Sequence, residues 1–166
     1  MNLRGGPLLI PILLSSTLLV MPVKDTVWWE TPGAKVTEHR DAVDSGCSLM
    51  LYDDSGSVTF EWDDPGRTVV TAIDWNWQLP DNWNVPVAMR FGDAWLSNGS
   101  DSAVIEAVGH GNSVAFTTDQ AVDDLLRPAD HIVVKTRDGE MSIPLRRDKV
   151  GVLLARTQAC REAIRR

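Results

Sequence analysis

Apolar residues recur along this chain with two different periods, and the change of period divides it. Between Asp148 and Ile164, Val150, Leu153, Leu154, Thr157 and Ile164 recur at helical spacings of three, four and seven residues, which predicts an amphipathic helix. Cys160 stands seven residues after Leu153 and falls on the same face. Upstream the period is two. Ser57 to Asp63 alternates cleanly, with Val58, Phe60 and Trp62 on one side and Thr59 and Glu61 on the other. With Cys47 to Asp53 before it and Asp54-Ser55-Gly56 between them, it predicts a hairpin. Only one other cysteine exists, Cys47, at the start of that hairpin. The two cysteines read as one disulfide tying a C-terminal helix to the beginning of a β-rich body.

The remaining elements follow in order. Val27 to Thr31 reads as a short strand ended by Pro32-Gly33, and the polar stretch after it, through Asp41 to Gly46, reads as irregular. Arg67 to Trp77 is the longest strand pattern, with Val69, Thr71, Ile73, Trp75 and Trp77 in one register, so Trp75 and Trp77 are expected to point inward. Val85 to Phe91 alternates through Val87, Met89 and Phe91, and Ala94-Trp95-Leu96 follows Gly92-Asp93. Asn98-Gly99 reads as a tight turn, and Ala103 to Val108 and Ser113 to Thr117 as further strands. Thr118 or Asp119 is expected to cap a short helix that ends near Arg127, before Pro128. His131 to Arg137 and Glu140 to Leu145 predict a hairpin across Asp138-Gly139. Many short strands with close turn signals give a mainly β fold: one antiparallel sandwich or small barrel, with one short helix and a C-terminal helix. The domain assignment is residues 24–166, preceded by 1–23.

That first segment changes the picture. Residues Gly5 to Val23 carry no charge and follow a lone Arg4, the shape of a secretory signal. Pro7, Pro11 and Pro22 make it a poor spanning helix, although about 19 uncharged residues suffice to span a bilayer. Residues 1–23 are therefore read as a signal peptide or an uncleaved N-terminal anchor, with the anchor as the only expected membrane contact. Export agrees with the cysteine reading, since paired cysteines belong to oxidising compartments. The expected location is periplasmic or secreted.

The 166 residues are enough for one domain with a real core. The net charge of -7 deepens to -8 when Arg4 leaves with the first segment, which argues against nucleic acid or anionic lipid as partner. Arg146, Arg147, Arg161, Arg165 and Arg166 form the densest basic cluster and read as a solvated helix end.

The order of elements resembles the invasion-associated locus B family of exported alphaproteobacterial proteins. The positions that carry the likeness are Cys47, the Val85 to Gly92 strand, the Ala121 to Leu126 helix, the turn at Asp138, and Leu153 to Cys160. It covers roughly Cys47 to Cys160 and rests on order and spacing. The resemblance implies a periplasmic or secreted β-sandwich with a cysteine bridge, and no catalytic residues.

Candidate chemistry is sparse. Seven tryptophans, beside one Tyr and three Phe, supply much of the aromatic core. The run from Trp75 to Asn84 mixes indoles with amides and a carboxylate, a composition that stacks on sugar rings and hydrogen-bonds their hydroxyls. Past Pro80, Asp81, Asn82, Trp83 and Asn84 form the candidate binding residues, with Trp83 the expected exposed indole. Asp53-Asp54, Asp63-Asp64 and Asp123-Asp124 are the carboxylate pairs a hydrolase would need, though turn chemistry explains Asp54 and Asp64. The segment from Asp53 lacks the loop glycine of an EF-hand. His39, His110 and His131 have no His or Cys at metal-ligand spacing. The sequence thus calls for no catalytic residue, metal or cofactor. Its first reading is a non-enzymatic exported domain that binds an envelope or host protein. A carbohydrate-binding module is the alternative, and a carboxylate hydrolase the second.

Overall fold

The computed structural model describes residues 24–40, 45–62, 67–80, 84–98 and 112–165. Residues 1–23 and the expected Ala103 to Val108 strand lie outside them, as does Gly99 of the expected tight turn. In chain order the elements are β1 (Lys24–Thr31), β2 (Ala34–Arg40), β3 (Ser45–Tyr52), β4 (Gly56–Trp62), β5 (Thr68–Asp74), β6 (Ala88–Phe91), β7 (Ala94–Asn98), β8 (Ser113–Thr118), α1 (Val122–Leu126), β9 (His131–Thr136), β10 (Gly139–Pro144) and α2 (Arg147–Ile164). Strands β1-β2-β3-β4-β5-β8 form one antiparallel sheet and β10-β9-β6-β7 a second. The sandwich reading holds, and the small barrel does not, because the two sheets do not close into one.

The sheets meet face to face where Phe60 of β4 packs on Phe91 of β6, ring centroids 5.8 Å apart. Gly56 of β4 allows close approach at another point of the same interface. A Cβ there would collide with the carbonyl of Ile73 and the sulfur of Met141 in β10. The other half of the large sheet is covered by α2, which lies across β1, β2 and β3. Its inward residues are Val150, Leu153, Leu154, Thr157 and Cys160, while Ile164 is only partly buried. Cys160 bridges Cys47 of β3 with Cα atoms 6.1 Å apart, and both cysteines are fully buried. The expected disulfide is therefore present, and it fastens the helix to the sheet.

Four expectations need correction. The stretch after Pro32-Gly33 is not wholly irregular: it contains β2, whose inward side is Ala34, Val36 and Glu38. A buried glutamate in the third inward place hides the alternation. Second, the inward face of β5 is reversed. Antiparallel neighbours directly opposite one another share a face, and Val58 and Phe60 of β4 oppose Ala72 and Val70. Thr68, Val70, Ala72 and Asp74 are therefore buried, and Val69, Thr71 and Ile73 look outward. Third, the strand stops at Asp74, so the register does not carry on to the tryptophans. Asp74 Oδ1 accepts the Asn76 backbone N–H at 2.8 Å, and the Trp77 N–H reaches the Asp74 carbonyl at 3.1 Å. That turn leaves Trp75 59% exposed and swings Trp77 back into the core at 3%. Fourth, α1 has Ala121 at its N-cap with no side-chain cap, the Thr118 hydroxyl instead accepting the Gln120 N–H.

The Asp138-Gly139 hairpin forms as expected, with Gly139 at a φ of 147° that favours glycine.

Candidate functional site

The first candidate surface is the end of the sandwich where β5 runs out. Trp75 stands there beside the β3–β4 turn, its backbone N–H donating to the Ser55 carbonyl at 3.2 Å. Ser55 in turn gives its N–H and hydroxyl to Asp53 Oδ1, at 2.8 and 2.6 Å. Asn76 and Gln78 are exposed close by in sequence. An indole raised above a rigid turn, with amides next to it, can stack on a flat apolar or sugar ring and donate to its substituents. Of the residues chosen from the sequence, Asp81, Asn82 and Trp83 lie outside the described residues, and Asn84 is exposed. Trp75 was expected inside and is instead exposed, as is Trp95 of β7.

At the opposite end, the helix terminus meets the sheet. Arg161, one residue past the bridge, stacks over Trp62 at 5.4 Å from the ring centroid and reaches Asp123 Oδ2 of α1 at 3.4 Å. It is not the solvated helix end that its basic cluster suggested; its side chain is only 25% exposed. Asp123 is half-buried, with Oδ1 enclosed and unpaired, and that burial pushes its carboxyl above the usual range while Arg161 pulls it back. On the same inner face Glu38 takes the Trp28 indole N–H at 2.6 Å and the Arg40 guanidinium. The Trp28 hydrogen bond holds the Glu38 carboxyl below its ordinary range, with burial opposing and Arg40 assisting.

These two carboxylates give opposite pH responses. The depressed value of Glu38 means stability that is present above the ordinary glutamate range, about pH 4.3, and lost as pH falls through the folded value. The raised value of Asp123 means that its ionised form costs stability at neutral pH, a cost relieved on acidification toward about pH 3.9. Glu38→Ala, which leaves the Trp28 N–H without its acceptor, is expected to cost about 1–3 kcal/mol at pH 7 and to flatten the acid limb of the melting curve. Asp123→Asn is expected to stay within about 1 kcal/mol of the parent or to stabilise it. Melting temperatures between pH 7 and 3 check both, and a Glu38→Ala variant that melts with the parent, or an Asp123→Asn loss well above about 1 kcal/mol, would contradict the assignment.

A third cluster joins Asp130, His131 and Arg147. Asp130 lies 2.5 Å from His131 Nδ1 and 3.3 Å from Arg147, and its carboxyl is held low chiefly by the His131 contact. They line a shallow crevice with Phe91, Asp93 and Pro128. His39 is bound to Glu61 at 2.8 Å, and His110 lies outside the described residues. Among the described residues no three His, Cys, Asp or Glu side chains group to hold a metal ion. Of the carboxylate pairs, Asp53 and Asp54 are exposed on their turn, Asp124 is exposed beside half-buried Asp123, and Asp63-Asp64 fall outside the described residues.

The chain matches no family model, no curated protein and no solved structure. Sequence reasoning missed Arg161, Trp28 with Glu38, and the Asp130–His131–Arg147 group, because each joins residues whose pairing depends on sheet register or helix placement. The position of Arg161 next to Cys160 was the one usable signal, since a bridged helix end cannot be fully free. Among the described residues no helix is long and apolar enough to cross a membrane.

Proposed function

We propose that this chain is an exported, disulfide-tied β-sandwich that works by binding an envelope or host protein rather than by catalysis. The observation that carries the reading is the buried Cys47–Cys160 bridge, which closes a separation of 113 residues and joins the last helix to the third strand. Such a bridge persists where thiols are oxidised, and the uncharged run after Arg4 supplies a route there as a signal peptide or anchor. The resemblance to the invasion-associated locus B family belongs to the same reading and adds the periplasm or the cell exterior as destination.

Trp75 is the contact this reading singles out, because an aromatic ring 59% exposed on a hydrogen-bonded turn offers area at small entropic cost. Cross-linking of the tagged full-length protein in intact cells is expected to capture one envelope or host protein, and Trp75→Ala to reduce the yield several-fold without loss of soluble protein. Equal capture by the variant would remove Trp75 from the site. Full-length chain confined to the cytoplasm would remove the export reading.

A second reading is a glycan as the bound component, favoured by the amides of Asn76 and Gln78 next to that indole. Binding on a glycan array that Trp75→Ala abolishes supports it, and a blank array leaves the protein partner.

A further inference from the structure

Where α2 begins, its first turns lie over the ends of β2 and β3 and leave a crevice of about 220 Å³. Its apolar wall is made by Ala34, Leu51, Leu145, Val150 and Leu153, with Ala34, Leu51, Val150 and Leu153 each 5% exposed or less as whole residues. The volume is below the roughly 300–1,000 Å³ of pockets for drug-sized ligands. It admits a single narrow chain.

Two cations line it, Arg146 and Lys149. Arg146 is shared with Asp148 at 3.4 Å, whereas Lys149 has no ion pair among the described residues. The one carboxylate in the lining, Asp53, has its Oδ1 committed to Ser55. The net charge of -7 disfavours anionic surfaces as a whole. An apolar slot lined by Arg146 and by Lys149, which has no ion pair among the described residues, is nonetheless locally complementary to a molecule that is a hydrocarbon chain at one end and an anion at the other.

We infer that this crevice binds the chain of a free medium-length fatty acid, with the carboxylate on Lys149 and Arg146. The inference goes beyond partner binding at Trp75 and does not depend on it.

The test uses the disulfide-bonded protein and sodium octanoate, with sodium hexanoate, 1-octanol and phosphatidylglycerol vesicles as comparisons. Each methylene that enters the slot should tighten binding about fourfold, the equivalent of ~0.8 kcal/mol per buried CH₂. Octanoate is therefore expected to bind roughly fifteenfold more tightly than hexanoate by calorimetry. It should also exceed 1-octanol by about fivefold, near the upper end for a solvent-exposed ion pair. Lys149→Glu should erase that preference over octanol, and Lys149→Arg should keep it. Octanoate-induced methyl shifts should centre on Val150 and Leu153. Equal binding of octanoate and octanol, indifference to Lys149→Glu, shifts centred elsewhere, or no octanoate binding would each overturn the inference. So would cosedimentation with vesicles without binding of free octanoate, which would make the slot a membrane contact.

Discussion

Cys160→Ser is expected to lower the stability of the oxidised domain by about 4–5 kcal/mol, the chain-entropy value for a loop closed over 113 residues. For a domain of this size that is a fall in melting temperature of roughly 10–20 °C, and it is from about a third to nearly all of a margin of about 5–15 kcal/mol. The position of the bridge gives the loss a direction. α2 covers the inner face of β1, β2 and β3, which the second sheet leaves to it. Loosening the helix at Cys160 also loosens Arg161 from Trp62 and Asp123. Proteolysis of the variant should therefore begin near the C-terminus, and the parent treated with reductant should behave alike. A variant that melts with the parent and resists protease equally would show that the helix is held by packing alone.

The second large effect separates two tryptophans two residues apart. Trp77 is 3% exposed and part of the core cluster, so Trp77→Ala should cost about 3–5 kcal/mol. Trp75, at 59% exposure, should cost under about 0.5 kcal/mol on the same substitution. Urea unfolding of the two variants distinguishes them directly. If Trp75→Ala is the costly one, the turn at Asp74 does not end β5 where the structure ends it.

That contrast also shows where sequence reasoning reached and where it stopped. Val58, Phe60 and Trp62 declare their face because Thr59 and Glu61 between them are polar, and all three are buried. The Asp138-Gly139 turn and the helix spacing through Leu153 and Cys160 are local signals, and each gave its element. β5 gives no such signal, since Val69 and Ile73 are as apolar as Val70 and Ala72. Only its pairing with β4 decides which side is covered. β2 escaped because its inward positions end in Glu38, whose partners Trp28 and Arg40 could not be assigned before the strand was known. The candidate site followed the same rule. Asp81, Asn82 and Trp83 lie outside the described residues, and the exposure of Trp75 is set by an aspartate-capped turn, not by alternation.

The most direct measurement is the oxidation state of the two cysteines in protein taken from its own cells with free thiols blocked at lysis. Non-reducing peptide mapping should recover Cys47 and Cys160 as one linked pair, with no blocked thiol at either position. Recovery of both as blocked thiols would contradict the tied helix in the cell, and with it the export on which the proposed function rests.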